Sequence, residues 1–385
     1  MVSDALYNFE ALRRRFPVLA RKTYLNSGSY GALSNDVKAA FEAYLDDRME
    51  RGSDWGWWTS KNESVRAAVA GLINADTDEV AITASASAGI NGVASALDFK
   101  GPRNRVVVSD FEFPTNAQIW HAQEKRGAEV VHVPEDDSGY IPLDHFEAAI
   151  DDRTAIVAVT HVCFRNGARL DIPGIVEIAH RHGALVLLDS YQAMGTMPID
   201  VKAYGVDFMV SGMLKYMLGT AGIGFLYVRG ALARTLKPTV TGWFGQADIG
   251  AMEIRAHTPA PNARRFESGT PPVPNCYAAE AGIRILSEVG LERIEERIRM
   301  LTRRFMERAR EEGFQIATPD DDGRRGPMVA VRSKDDTKLV DILTGRDIVT
   351  SCRFGNLRAG FHAYNNEDDI EVLIATLRDN RDLMA

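Results

Sequence analysis

Seven short apolar runs recur between positions 80 and 228. They are Val80–Thr83, Arg105–Ser109, Glu129–Val133, Ala155–Thr160, Ala184–Asp189, Val206–Ser211 and Ile223–Val228. Most are unbroken stretches of Val, Ile, Leu and Ala rather than alternating ones. Continuous apolarity suits strands buried on both faces. Segments of helical pattern lie between them, including Pro114–Arg126, Leu143–Ile150 and Ile172–His182. Strand–helix–strand alternation predicts an α/β fold with a mostly parallel seven-stranded sheet covered by helices.

The pattern changes after Val228. Residues 240–274 are rich in Gly, Pro and Thr and read as loops. Cys276 to Glu311 reads as two helices broken near Gly290. Short strands (Met328–Val331, Val349–Cys352) and helices (Thr337–Leu343, Asn366–Leu377) follow. These predict a small α+β C-terminal domain, joined by an N-terminal helix around Tyr7–Phe16. The expected division is residues 20–255 for the large domain, and 1–19 with 256–385 for the small one.

The chain has 385 residues, 45% hydrophobic and 25% charged, with a formal net charge of −8. A chain this long buries most of its apolar surface without staples. The acidic balance argues against nucleic acid or an anionic membrane as the main partner. Cys163, Cys276 and Cys352 are scattered and odd in number, so neither a disulfide framework nor a zinc pattern is expected. His180 and His182, two apart on a helix, do not share a face, and no metal site is expected. Residues 1–19 lack the apolar stretch of a signal peptide, and no run is long enough to cross a bilayer. The expectation is a soluble cytoplasmic protein.

Ligands in open α/β sheets bind beyond the carboxyl ends of the strands. Four segments there carry chemistry. Asp189 ends a buried run and is followed by Ser190, Tyr191 and Gln192; it either caps a helix or holds a protonated ring nitrogen, as in pyridoxal phosphate sites. Lys215 follows Val206–Ser211 in an apolar setting; it either snorkels outward or, desolvated, forms a Schiff base. Ser85-Ala86-Ser87 opens a helix and offers backbone N–H groups to a phosphate. Phe113, after Arg105–Ser109, either packs in the core or stacks on a planar ring. Each sign is weak alone. Their order, with Lys215 twenty-six residues after Asp189, is the informative part.

The chain resembles the class V aminotransferase group of pyridoxal-phosphate enzymes, of the aspartate-aminotransferase fold type I. That group includes cysteine desulfurases, kynureninase and isopenicillin N epimerase. The resemblance runs from Tyr24-Leu25-Asn26-Ser27-Gly28 to Arg358…His362-x-Tyr364-Asn365. Its most specific parts are Leu188-Asp189-Ser190-Tyr191-Gln192-Ala193-Met194-Gly195 and Asp207–Val210 leading to Lys215-Tyr216-Met217-Leu218-Gly219. Gly242-Trp243-Phe244-Gly245 and Phe266-Glu267-Ser268-Gly269-Thr270-Pro271-Pro272 look like the kynureninase-side phosphate loops. The resemblance implies a Schiff base on Lys215, Asp189 on the pyridine nitrogen, Gln192 on the ring oxygen and Phe113 on the ring face. Ala86 and Ser87 would hold the phosphate, helped by Trp243. Gly269 and Thr270 would reach the partner subunit's phosphate, which implies a homodimer with shared sites. Arg358 would bind the substrate carboxylate, with Asn26 and Arg165 as further substrate contacts.

The chain also departs from these relatives. Leu214 stands where kynureninases carry Tyr. Cys352 lies only six residues before Arg358, which does not match the desulfurase thiol loop. Met213 and Phe164 replace polar residues seen in several relatives. Trp55, Trp57 and Trp58 form either a lid or an interface contact. The resulting expectation is an aminotransferase-like enzyme acting on a small α-amino acid. Alternatives are a Cβ lyase (carbon–sulfur cleavage included), an epimerase or decarboxylase, and a non-catalytic sensor.

Overall fold

The computed structural model describes residues 7–385; the first six residues of the N-terminal segment read above lie outside this range. The strands in chain order are β1 (Thr23–Tyr24), β2 (Val80–Thr83), β3 (Arg105–Ser109), β4 (Glu129–Val133), β5 (Thr154–Thr160), β6 (Leu185–Asp189), β7 (Phe208–Gly212), β8 (Gly224–Val228), β9 (Met328–Arg332), β10 (Ile348–Val349), β11 (Ser351–Arg353) and β12 (Asn356–Gly360). Seven of them form one sheet in the order β2-β8-β7-β6-β5-β3-β4. Within it β8 runs antiparallel to both neighbours and the other pairs are parallel. The seven apolar runs thus became the seven strands, with ends shifted by two residues at most.

Register brings the chemistry to one edge. Thr160 pairs with Asp189, and Asp189 with Val210, so the ends of β5, β6 and β7 lie side by side. Apolar side chains fill both faces of the sheet. A third apolar cluster joins Leu25 to residues between Leu301 and Met384, around the antiparallel order β11-β12-β9. The clusters part inside the helix Leu291–Glu311. Its first turns (Leu291, Ile294, Ile298) and the helix Val273–Val289 pack beneath the large sheet, as do Leu12 and Phe16. The change of composition near residue 255 therefore marks loops rather than the edge of a core.

Two helices with no counterpart in the sequence reading, Asn35–Arg51 and Trp55–Leu72, pack on Val273–Val289. The second begins at the tryptophans. Trp57 Nε1 donates to Asp47 and to the Tyr277 hydroxyl, and Trp55 meets Trp243 edge-on at 5.8 Å. The cluster therefore ties these helices to the 243–245 turn.

A buried clamp holds this layer to the sheet. Arg66 Nη1 donates to Glu267 at 2.5 Å and to the Val80 carbonyl at 2.6 Å. Glu267 also accepts from the Ile82 N–H at 2.9 Å. The side chains are 3% and 5% exposed. Stranding one charge of such a buried pair costs about 3–5 kcal/mol at most, and Arg66 keeps a second, half-exposed partner in Glu63 at 2.9 Å, which sets that figure as the upper bound. Glu267→Ala is therefore expected to lower folding stability by up to that amount, read as a drop in the urea midpoint. A loss below about 1 kcal/mol would show that the clamp contributes little.

Candidate active site

A cavity of about 280 Å³ opens at the carboxyl ends of β5, β6 and β7. Ala86, Ser87, Phe113, Asp189, Gln192 and Lys215 all line it. The four separate signs of the sequence thus meet in one place.

Lys215 sits on the turn after β7. Leu218, with φ +57°, takes a left-handed conformation that helps close this turn; a buried leucine adopts it only under tertiary constraint. The amine Nζ lies 4.4 Å from the centre of the Tyr191 ring and 5.6 Å from that of Phe113. Tyr191 reaches this position because residue 212 is glycine: a Cβ there would fall 2.1 Å from the Tyr191 hydroxyl. Burial pushes the Lys215 pKa down to about 8, against the pull of Asp189, with Arg358 and Arg353 adding to the depression.

Asp189 is buried, which raises its pKa, and one oxygen accepts from the Tyr191 N–H at 3.0 Å. Gln192 donates to the Gly28 carbonyl at 3.0 Å, and its Oε1 has no partner. The helix Ala86–Ala96 starts at the cavity, capped by the Ser85 hydroxyl, which accepts from the Ala88 N–H at 3.1 Å. Phe113 is 45% exposed, edge-on to Phe164 at 5.2 Å.

Arg358, on β12, is 4% exposed. Its Nη1 donates to the Phe164 carbonyl at 2.6 Å, and its Nη2 to the Ser351 and Ser29 hydroxyls at 2.8 and 3.3 Å. Its Nε has no partner, and no carboxylate pairs with it among the described residues. Burial, with Arg353 nearby, brings its pKa down to about 10. A buried guanidinium without a counter-ion is suited to a carboxylate arriving from outside.

Other expected residues lie apart. Asn26 bridges to Gly360, and its buried Oδ1 has no partner. The Arg165 guanidinium pairs with Glu135 and the Asp110 carbonyl, off the cavity wall, so within this chain it is already engaged. Trp243 donates to the Ile249 carbonyl and packs on Trp55 and Phe244. Gly269 and Thr270 line a separate cavity, with Thr83, Ala84 and Ala88. Cys352 is half-buried on β11, and burial raises its pKa; no thiol lines the Lys215 cavity.

Sequence reasoning missed Tyr191 as a wall residue, and it missed Glu112. The Glu112 carboxyl is buried and accepts from Ser109, Asn116 and the Thr160 N–H at 2.5, 2.7 and 2.7 Å. Burial pushes its pKa up to about 8 despite these donors. The available sign was an acid between two phenylalanines at a strand end, costly unless bonded.

A family model described as Aminotransferase class-V matches residues 51–373. An uncharacterized aminotransferase of Bacillus subtilis is 36% identical over 365 residues, 95% of this chain and 96% of that protein. A probable cysteine desulfurase of Methanothermobacter thermautotrophicus is 28% identical over 394 residues, 96% and 97% of the two chains. The apo structure of a cysteine desulfurase from Thermococcus onnurineus shares the fold, with TM-score 0.89 at 24% identity over 98% and 99% of the chains.

The cavity's donor set fits pyridoxal 5′-phosphate. A helix start suits its phosphate, the open Phe113 face its planar ring, and Asp189 a protonated ring nitrogen. The unpartnered end of Gln192 is a polar group left for a ligand, and Lys215 is the amine. Only the neutral amine is nucleophilic. The rate at which pyridoxal phosphate links to the apo-protein is therefore expected to rise with pH along a titration centred near 8. Stopped-flow absorbance over a pH series checks this; a midpoint in the ordinary lysine range would refute the desolvated Lys215.

Proposed function

The chain belongs to the class-V aminotransferase family and is a pyridoxal-phosphate-dependent enzyme, and from that premise we propose that it moves the amino group of a small α-amino acid to a keto acid. The observation that carries this reading is a single base on the cavity wall, whose other proton-bearing groups are the Tyr191 phenol, its pKa raised by burial, and Ser and Thr hydroxyls. Lys215 is its one amine, Asp189 is spoken for by the ring nitrogen, and thiol and imidazole are absent from the lining. A transaminase needs one base that takes a proton and returns it nearby. Cleavage at Cβ asks in addition for protonation of the leaving atom where that atom is a poor leaving group.

When bound, pyridoxal phosphate supplies an electron sink for charge that develops at the substrate Cα. The residues do the rest. Asp189, buried beside the Tyr191 N–H, would favour the protonated ring nitrogen. Lys215, with a pKa brought to about 8, would hold and release a proton at Nζ near neutral pH, where general bases work best. Arg358 would bind the substrate carboxylate and orient Cα toward Lys215. Ala86 and Ser87 would anchor the phosphate through the helix start.

The working unit in this reading is a homodimer. Ser268, Gly269 and Thr270 are exposed and lie off the Lys215 cavity of their own chain. That supports their acting on a partner's phosphate, with the neighbouring Trp55 and Trp243 at the contact. Two domains, divided near residue 300, suit the separate apolar cores. The three free cysteines accord with a reducing, cytoplasmic setting. No helix among the described residues is long and apolar enough to cross a membrane.

Three measurements test the reading. With a panel of L-amino acids and no keto acid, one equivalent of the pyridoxamine form is expected per chain, and added keto acid should restore the original spectrum. Pyruvate and ammonia released from a cysteine conjugate, with no pyridoxamine form, would replace transamination by Cβ elimination. Lys215→Ala is expected to lower turnover by about 10²–10⁴-fold; full activity in that variant would sink the assignment. Arg358→Gln is expected to raise KM about ten- to a hundred-fold, the equivalent of about 1.5–3 kcal/mol for a charged hydrogen bond. An unchanged KM would remove Arg358 from the substrate site.

A further inference from the structure

Thr160 and His161 follow one another at the end of β5 and serve two different cavities. Thr160 lines the Lys215 cavity, and His161 lines a second one of about 660 Å³. His161 is 1% exposed. Its Nδ1 lies 3.0 Å from the Ser190 hydroxyl, and its Nε2 has no hydrogen-bond partner among the described residues. Burial, with Arg169 nearby, pushes its pKa down to about 3, so the ring is neutral. A neutral buried imidazole with one nitrogen spare is a polar group left for a ligand. The chemistry at Lys215 makes no use of it.

Four charges surround this cavity: Arg169, Asp171, Asp321 and Arg324. All four line the same wall as Tyr140. The Arg324 guanidinium lies over the Tyr140 ring at 4.9 Å, with no carboxylate partner among the described residues. Arg169 is 3.6 Å from Glu295 and 3.4 Å from the Tyr204 hydroxyl, both long contacts. Asp171 and Asp321 each give one oxygen to a backbone N–H, of Gly174 and Gly323, and keep the other. Leu143 and Leu170 supply apolar wall. A simple anion would leave the two carboxylates unmatched, and a simple cation the two guanidiniums. A molecule bearing both charges on an apolar body matches all of them.

We propose that this cavity is a second binding site, taking a free amino acid in its zwitterionic form with an apolar side chain. The carboxylate meets Arg169 and Arg324, and the ammonium meets Asp171 and Asp321. The side chain lies against Tyr140, Tyr204 and Leu143. The site shares a wall with the cofactor cavity: the His161 N–H donates to the Asp189 carbonyl at 2.8 Å, and Ser190 follows Asp189 in the chain. An occupant therefore contacts the strand end that carries Asp189.

Calorimetric titration of the borohydride-reduced holoenzyme tests this, because reduction prevents amino acids from condensing at Lys215. The probes are L-phenylalanine, 3-phenylpropionate and 2-phenylethylamine. Phenylalanine is expected to bind once per chain, at least ten-fold tighter than either single-charge probe. Arg324→Ala and Asp321→Asn are each expected to weaken it ten-fold or more, while Arg358→Gln leaves it unchanged. Both substitutions are at exposed positions. No heat from phenylalanine at millimolar concentration, equal affinity for the three probes, or loss only in Arg358→Gln would overturn the proposal. Reduction that leaves no pyridoxyl group on Lys215 would count against the cofactor assignment alone, since the same titration still reads the second cavity.

Discussion

Asp189 and Lys215 face one largely enclosed cavity and form no ion pair. Burial drives the carboxyl up and the amine down in pKa, so each pays for its charge in the cavity. Arg358 adds a buried guanidinium with no acidic partner among the described residues. Uncompensated burial of an ion costs several kcal/mol, and neutral hydrogen-bond partners return only part of it. The cost falls on the two apolar layers of the sheet, the Arg66–Glu267 clamp and the contacts that fix the Lys215 turn. A phosphate ester carrying a pyridinium ring and a substrate carboxylate would supply the absent partners. Ligand that binds only the folded chain stabilises it by mass action, so the same unmet charges that weaken the empty fold strengthen the loaded one.

Precision at the site comes from elements far apart in the chain. The parallel register of β5, β6 and β7 aligns Thr160, Asp189 and Val210. Arg358 arrives on β12, and an aromatic stack relates that strand to the Lys215 turn. Tyr216 stacks on His362 at 6.1 Å, His362 on Tyr364 at 4.9 Å, and the His362 Nε2 lies 3.1 Å from the Tyr216 carbonyl. The Tyr364 hydroxyl meets Ser27 at 2.6 Å. Residues 27, 216 and 362–364 thus tie the strand that carries Arg358 to the Lys215 turn, the kind of fixed placement that orientation-dependent catalysis requires.

Much of this was legible in the sequence, for identifiable reasons. A parallel strand buried on both faces is a continuous apolar run, so all seven strands stood out. Asp189 and Lys215 stood out because each breaks such a run with a charge. The helices Asn35–Arg51 and Trp55–Leu72 did not. The first exposes most of its residues, and its one buried residue is Val37. The second starts with tryptophans and a glycine, which read as loop chemistry. The expected division near residue 255 rests on a change of loop composition, whereas the apolar clusters part within the helix Leu291–Glu311. In the sequence Arg165 reads either as a substrate contact or as structural because it follows a strand end; within the chain it meets Glu135, thirty residues away, which the sequence pattern did not signal. Glu112 escaped notice because its three donors come together only in three dimensions.

The size of the cavity bounds the chemistry as firmly as its residues do. Its volume of about 280 Å³ lies at the low end of the roughly 300–1,000 Å³ typical of small-molecule sites. The net charge of −8 does not oppose anion binding here. Exposed charges are screened over about 8 Å at physiological ionic strength, whereas Arg358 and the helix start act at contact distance in a medium of low dielectric. In the proposed reading, selection would rest on shape near Phe113 and on a carboxylate at Arg358.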